Sequence, residues 1–292
     1  MAALSLDRDV LALSAELTET RRVIHRHPEL GFQEVRTSGL VAQRLRALGL
    51  AVTEGVARTG VVGLLEGGRP GKTILLRAGP VMASMDTIGI TVRGRGGHGA
   101  LPHQTVDAIV VAAHVVTALQ TLASREISPT VPVVVSLGTI HGGFRHNVIA
   151  PEVSLTGTVR TYDEGLRKTL PERIERIVGQ VCQAFRGEGE VRYELGYPVT
   201  VNDPAMTTLC REVATAVVGP ERVQTLDAMM GSEDMAYFLQ AVPGCFLFLG
   251  SSSAAKGLTA PHHSAEFDFD EACLPIGVQL LVRLVERALE PH

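Results

Sequence analysis

The chain has no tryptophan, few other aromatic residues and only four cysteines. Aromatic residues are 4% of its 292 residues, so aliphatic side chains must fill any interior. The cysteines are far apart, at Cys182, Cys210, Cys245 and Cys273, and no Cys-x-x-Cys occurs. This spacing is not that of a disulfide framework, so we expect the protein to work in a reducing cytoplasm.

A strong charge of one sign and long apolar runs are also missing. The formal net charge of −4 at pH 7 gives no electrostatic basis for binding nucleic acid or an anionic membrane. We expect no apolar run long enough to span a bilayer, and residues 1–10 carry no signal-peptide pattern. With 45% hydrophobic residues, the chain is expected to form one or two globular domains.

The middle of the chain carries the clearest secondary-structure pattern. Between about residues 85 and 200, strand-like alternation and helix-like spacing follow one another in the order β-α-β-β-α-β. In Val153–Thr161, apolar residues alternate with polar ones, and Arg160 lies among the polar ones. This pattern predicts a ferredoxin-like unit whose helices cover one sheet face, with Arg160 on the other face.

The flanking residues follow an α/β pattern of alternating helices and strands. Predicted helices cover residues 7–27, 36–48, 204–218, 232–241 and 273–289. Predicted strands cover residues 50–56, 61–65, 73–76, 223–226 and 245–249, with a hairpin at 67–71. We predict that residues 1–80 and 201–292 form one α/β domain, into which residues 81–200 are inserted.

Six short motifs occur in one order along the chain. They are His25–Phe32 (HRHPELGF), Gly94–Pro102 (GRGGHGALP), Asn147–Ile149 (NVI), Gly157–Thr161 (GTVRT), Gly231–Asp234 (GSED) and His263–Phe267 (HSAEF). Their order and spacing resemble the zinc-dependent metallopeptidase family of aminoacylases, hippurate hydrolases and auxin-conjugate amidohydrolases. The resemblance implies a phosphorylase/hydrolase-like α/β catalytic domain with a ferredoxin-like satellite domain that forms homodimers. It also implies hydrolysis of the amide bond of small N-acyl amino acids.

The same resemblance implies roles for five residues. His98 matches a catalytic histidine that reaches the partner subunit's active site and can donate to the oxyanion of a tetrahedral intermediate. Asn147, Arg160 and Ser232 match positions at the substrate end of the pocket, where the planar fork of an arginine suits a carboxylate. His263 matches the last ligand of a binuclear site for zinc, with manganese and cobalt as alternatives.

Without the resemblance, ordinary structural roles would also account for three of these residues. His98 lies in a glycine-rich stretch and would serve as an ordinary loop histidine. Arg160 would equally suit a surface ion pair. Ser232 is a good helix N-cap, with Glu233 and Asp234 placed to favour the first turn of that helix.

One junction departs from the family pattern. Residues up to Ala78 resemble one strand of the family, and residues from Gly79 resemble a much later part of it. The family's Asp-Met-Asp-type segment, Cys-Gly-His-Asp-type loop, Glu-Glu pair and a further histidine would lie between them, and none occurs here. His263 is then left as one ligand where a catalytic metal needs about three from the protein.

This departure predicts an internally truncated catalytic domain. Hydrolysis is expected to be impaired, because the metal pair and the general base are lost. The catalytic half is also expected to be less stable than residues 85–200, because strands of a parallel sheet are normally buried on both faces. The alternative is a catalytically inactive relative that forms homodimers or binds a small ligand.

Overall fold

The computed structural model describes residues 7–31, 33–56, 58–64, 78–225 and 227–289. The chain divides into two compact units. Unit 1 consists of Met1–Ile74, Leu209–Gln224 and Phe248–His292, and unit 2 consists of Leu75–Thr208 and Thr225–Leu247. The predicted strand over residues 73–76 and the hairpin at 67–71 lie outside the described residues.

The helices and strands are numbered here in chain order. They are α1 (Arg8–Ala12), α2 (Ser14–Arg26), α3 (Val35–Ala47), β1 (Ala51–Val56), β2 (Gly60–Leu64), β3 (Gly79–Met82), β4 (Met85–Arg93), β5 (Gly97–His98), α4 (Ala108–Thr121), β6 (Val133–Gly142), β7 (Val148–Ile149), β8 (Glu152–Thr161), α5 (Glu164–Ala184), β9 (Glu188–Tyr197), β10 (Thr200–Asn202), α6 (Pro204–Val218), α7 (Met235–Ala241) and α8 (Cys273–Leu289).

Unit 2 is built on a four-stranded sheet with the strand order β6-β8-β4-β9. All three strand pairs are antiparallel, and β4 pairs with both β8 and β9 from Thr87 to Arg93. Helices α4 and α5 contact each other and the sheet. Along the chain these six elements follow the order β4-α4-β6-β8-α5-β9. A second pair of strands, β3 and β10, is also antiparallel.

The core of unit 2 is formed by apolar residues that alternate along the strands and recur at helical spacing along the helices. Ile88, Ile90 and Val92 alternate along β4 and are at most 1% exposed. Val115 and Leu119 lie one turn apart on α4 and are fully buried in the same cluster. Aliphatic side chains dominate this cluster, as expected for a chain without tryptophan.

Helix α4 corrects the expectation that no apolar segment of the chain is long enough to span a bilayer. Together with the π-helical turn Leu122–Glu126, it is long and apolar enough, by length and composition alone, to cross a membrane. The core helix of a globular unit passes the same test, and the inner face of α4 packs in the unit 2 core. The apolar character of this helix is therefore weak support for a membrane span.

Unit 1 is mainly helical. The helix predicted over residues 7–27 is divided at Leu13 into α1 and α2. Strands β1 and β2 form an antiparallel hairpin, and α3 packs against both. Arg21 forms ion pairs with Asp268 and with Glu271, and so connects α2 to the residues just before α8.

Two predicted strands are absent from the described residues. Residues 245–249 have no strand, because the Phe246 amide donates to the Asn202 side chain (2.7 Å) instead of to a neighbouring strand. Residues 223–225 also have no strand, and Leu226 lies outside the described residues. A strand requires a partner backbone for its hydrogen bonds, and neither segment forms a ladder with one within the described part of the chain.

Candidate functional site

His98 and Asn147 are brought together by a short pair of strands. Strand β5 pairs with β7, so that His98 lies opposite Val148. The next amide, that of Gly99, donates to the Asn147 carbonyl oxygen at 2.9 Å. Both predicted site residues are exposed to solvent. Two motifs that are far apart in the sequence therefore form one structural feature.

The turn after His98 determines which ring nitrogen carries the proton. His98 Nδ1 accepts a hydrogen bond from the Ala100 amide at 3.0 Å. A backbone N–H can only donate, so in the neutral ring the proton is on Nε2. His27 shows the opposite case, since its Nδ1 lies 2.9 Å from the Val23 carbonyl oxygen, which can only accept. His98 therefore presents Nε2–H as its available donor.

Gly99 is expected to be intolerant of any side chain. A Cβ atom there would lie 2.9 Å from the Asn147 carbonyl oxygen, which is main chain and cannot move aside alone. Gly99→Ala is expected to destabilise unit 2 by about 1–3 kcal/mol, as other overpacked sites do, and to separate His98 from Asn147. Urea unfolding and the amide NMR signals of residues 97–100 and 147–149 would measure both effects.

Gly138→Ala is the matched control for that substitution. A Cβ at Gly138, on β6 of the same unit, would meet nothing within 4 Å. Its expected effect is within about 0.5 kcal/mol. Equal effects of the two substitutions would contradict the close packing of Gly99 on Asn147.

Arg160 lies half-buried on β8, between the buried residues Val159 and Thr161. Its Nη1 donates to the Met230 carbonyl oxygen at 2.9 Å. Among the residues that the structure describes, no carboxylate forms an ion pair with it. The alternative of a surface ion pair for Arg160 is therefore not observed in this part of the chain.

Ser232 lies two residues beyond the Arg160 contact, in the segment before α7. The predicted helix over residues 232–241 begins only at Met235, and Asp234 is the residue before it. The alternative of Ser232 as the helix N-cap is therefore wrong, because Ser232 precedes the helix by three residues. Burial, followed by the neighbouring Asp234 carboxylate, raises the pKa of Glu233 in the same segment.

Sequence reasoning missed the role of the main chain at Met229 and Met230. Met229 forms a bridge to Met82, its amide donates to the Val81 carbonyl oxygen (2.9 Å), and its carbonyl accepts from Ala83. The segment that precedes Ser232 is therefore attached to β3. A main-chain contact has no side-chain signature, so no motif could have indicated it.

His263 lies in unit 1, in an exposed turn with a left-handed backbone (φ +64°). Within the described ranges, no group of three or more His, Cys, Asp or Glu side chains could hold a metal ion. The remaining residues of the sequence add only Glu66, Glu290 and His292 to these side-chain types. The described residues do not fit a catalytic metal centre, which needs about three protein ligands.

Comparison with known proteins gives one family match and several similar sequences. The family model described as peptidase family M20/M25/M40 matches residues 38–287. Thermostable carboxypeptidase 2 from Saccharolobus solfataricus is 29% identical over 376 aligned positions, which cover 93% of this chain and 95% of that protein. N-acetyl-L-cysteine deacetylase from Bacillus subtilis is 34% identical over 222 residues, which cover 75% of this chain. That alignment spans about half (51%) of the deacetylase.

Two solved structures share the fold. The YxeP protein of Bacillus subtilis, described as a dinuclear metal-binding peptidase of family M20, matches with a TM-score of 0.71 and 20% identity, over 94% of this chain and 97% of that one. The aminobenzoyl-glutamate utilization protein from Klebsiella pneumoniae matches with a TM-score of 0.69 and 17% identity, over 97% and 98%. At these identities the likeness concerns the fold alone.

Proposed function

Because this chain belongs to peptidase family M20/M25/M40, we propose that it is an amidohydrolase relative that recognises N-acyl amino acids or related small amides and hydrolyses them poorly. The substrate class is supported by relatives such as N-acetyl-L-cysteine deacetylase. One observation carries the impaired hydrolysis: no group of three metal-binding side chains exists among the described residues. Metal activation of water is the step that such a group would make possible.

The length of the alignment with thermostable carboxypeptidase 2 supports a missing central segment. The matched 93% of this 292-residue chain falls roughly a hundred positions short of the 376-position alignment. We place the missing segment after Ala78, because the residues before and after this point resemble parts of the family that are far apart in its sequence. Its loss would remove the metal ligands and the general base together.

The proposed protein has two domains, a satellite domain and a truncated catalytic domain. We propose that residues 81–200 form a ferredoxin-like satellite domain through which two copies associate. Residues 1–80 and 201–292 would then form the truncated catalytic domain. The strand order β6-β8-β4-β9 with two helices supports the satellite assignment. A cytoplasmic location remains part of the proposal and is supported by four buried cysteines that are all free thiols.

The residues present would bind a substrate without activating a nucleophile. The Arg160 fork would hold the carboxylate of the amino acid, with Asn147 and Ser232 at the same end of the substrate. The His98 Nε2–H would donate to the amide oxygen as negative charge develops on it. None of these groups takes a proton from water. Zinc, manganese or cobalt would find no group of three protein ligands among the described residues.

A second candidate function is favoured by the same observation, that the described residues contain no metal-binding group of three side chains. In it, the chain is an inactive relative that forms homodimers or binds a small ligand. An inactive relative that binds the same small ligand differs from the first candidate in turnover, and one that only forms homodimers differs from it in binding as well.

Metal content and hydrolysis, measured together, test the proposal. After dialysis against zinc and removal of free ions, the chain is expected to hold well below one zinc ion, and its kcat/KM for hippurate is expected to be at least about 1,000-fold below that of a metal-loaded relative. The N-acetyl-L-cysteine deacetylase of Bacillus subtilis, prepared in parallel and assayed on N-acetyl-L-cysteine, is the positive control. Two zinc ions per chain with comparable turnover would overturn the impairment. Hippurate binding with zero turnover would favour the inactive relative.

A further inference from the structure

Methionines are concentrated at one place in unit 2. Five of the seven methionines in the sequence lie in two short stretches, residues 82–85 and 229–235. The structure brings these stretches together, because Met229 forms a parallel bridge to Met82 on β3. The thioether sulfur is the atom of a methionine that an oxidant attacks, and the product is a polar sulfoxide. A contact between two segments that is built on methionines is therefore open to oxidative modification.

Two main-chain hydrogen bonds flank this bridge. The Met229 amide donates to the Val81 carbonyl oxygen at 2.9 Å, and the Ala83 amide donates to the Met229 carbonyl oxygen at 3.2 Å. These bonds attach the segment 229–232 to β3. Met82 lies between Val81 and Ala83 in the chain, so a change in the fit of its side chain would act on both bonds.

The side chain of Met82 is packed closely against the same segment. Met82 is only 8% exposed. Its methyl carbon Cε lies so near Gly231 that a Cβ atom on that glycine would be 2.8 Å away. The Met82 methyl group thus fills the space that a side chain at position 231 would need. The reduced thioether suits this space because it is flexible and apolar.

Met229, on the other side of the bridge, is in a different environment. It is 38% exposed, so a small oxidant can reach its side chain from solvent. The main chain of Met229, and not its side chain, donates to and accepts from β3. Oxidation of Met82 requires the segment to open briefly. Its sulfoxide would then be a polar group returned to a closely packed, nearly dry place, which is unfavourable. The two sulfurs are therefore expected to differ both in rate and in consequence.

We propose that Met82 is an oxidation-sensitive attachment point, whose thioether keeps the segment 229–232 on β3 and whose sulfoxide releases it. In this step the Met82 sulfur takes one oxygen atom from hydrogen peroxide. The O–O bond breaks, the sulfur loses two electrons to the peroxide, and water is the second product. A methionine sulfoxide reductase reverses the step with a dithiol as the reductant. Met229 is oxidised earlier and leaves the attachment intact.

Stepwise oxidation of the intact chain with hydrogen peroxide tests this order. Peptide mass spectrometry would follow sulfoxide formation at Met82 and Met229, and NMR would follow hydrogen exchange of the Ala83 and Met229 amides. Met229 is expected to be oxidised first, without a change in exchange. Once Met82 is oxidised, both amides are expected to exchange at least about tenfold faster, because their hydrogen bonds to the other segment are lost. Methionine sulfoxide reductase with dithiothreitol is expected to restore slow exchange.

Two leucine variants separate the roles of the two methionines. Met82→Leu removes the sulfur and keeps an apolar side chain of similar volume. It is expected to hold the segment and to abolish the response to peroxide. Met229→Leu is the matched control and is expected to retain the full response. A response that persists in Met82→Leu, or one that disappears in Met229→Leu, would overturn the proposal.

The measurement on the unaltered chain does not depend on either variant folding. Unchanged exchange of the two amides after oxidation of Met82 would overturn the proposal. A Met82 that stays reduced until the whole of unit 2 unfolds would overturn it as well. Ser232 lies on the released segment, so oxidation would displace a residue of the proposed substrate end. The exchange measurement needs no substrate, and it therefore tests the attachment separately from the proposed function.

Discussion

Asp86→Ala is expected to destabilise unit 2 by about 3–5 kcal/mol, the usual cost of removing one partner from a buried ion pair. Asp86 is fully buried, and Arg167 on α5 is 7% exposed. Arg167 Nη2 donates to Asp86 Oδ1 at 2.6 Å, and its Nε donates to Oδ2 at 3.0 Å. Without the carboxylate, the buried guanidinium would keep the Gly196 carbonyl oxygen and, as its one carboxylate partner among the described residues, the half-exposed Glu164.

The other partners of Asp86 explain why its loss affects several elements at once. The Tyr193 hydroxyl and the Gly196 amide, both on β9, each donate to it at 2.9 Å. Burial and then the Asp86 carboxylate raise the pKa of Tyr193, so this hydroxyl stays protonated as a donor. Asp86 thus connects the start of β4 to α5 and β9.

Hydrogen exchange of the β4 and β8 amides would measure the loss in unit 2 separately from unit 1. Glu190→Ala is the matched control, because it removes an exposed partner of Arg93 on the same sheet, and its expected cost is within about 1 kcal/mol. Adding Arg167→Met to Asp86→Ala is expected to recover part of the loss. A cost below about 1 kcal/mol for Asp86→Ala would contradict the buried pair as described.

Amide exchange is also expected to be at least about 100-fold slower in the sheet of unit 2 than in the helices of unit 1, a difference of about 2.8 kcal/mol. Among the described residues, the cluster of buried hydrophobic residues lies within residues 88–182. In unit 1, by contrast, Leu30, Val35 and Leu48 are each more than 70% exposed. Few buried apolar contacts mean a low free energy of local opening.

Exchange followed by mass spectrometry on peptides from the intact chain would test this difference. Peptides from β4 and β8 report on unit 2, and peptides from α2 and α8 report on unit 1. Equal protection in both sets would count against the lower stability of unit 1 and would weaken the case for a missing segment there. Addition of zinc is expected to leave both sets unchanged, because the described residues do not form a metal site.

The sequence predicts best the helices and strands that are marked by nearby residues, such as capping residues and short apolar patterns. Helix α6 starts and ends as predicted, because Asp203 caps it by accepting from the Ala205 and Met206 amides, and Gly219, with a positive φ of 87°, follows its last residue. The order of strands and helices in unit 2 was also predictable, because alternation and helical spacing of apolar residues are local patterns. The strands predicted over residues 223–226 and 245–249 do not form in the described residues 223–225 and 245–249. Both segments had strand-like composition, but strand formation depends on a distant partner.

By itself, the sequence determined the family, the motif order, the helices with caps at both ends and the apolar faces of the central sheet. All of these depend on residue types at short spacings. Only the tertiary structure decided that His98 lies beside Asn147, that Arg160 donates to the Met230 carbonyl, and that His263 belongs to no metal-binding group of three side chains among the described residues. Those facts depend on contacts between backbones far apart in the chain, and no local pattern encodes such contacts.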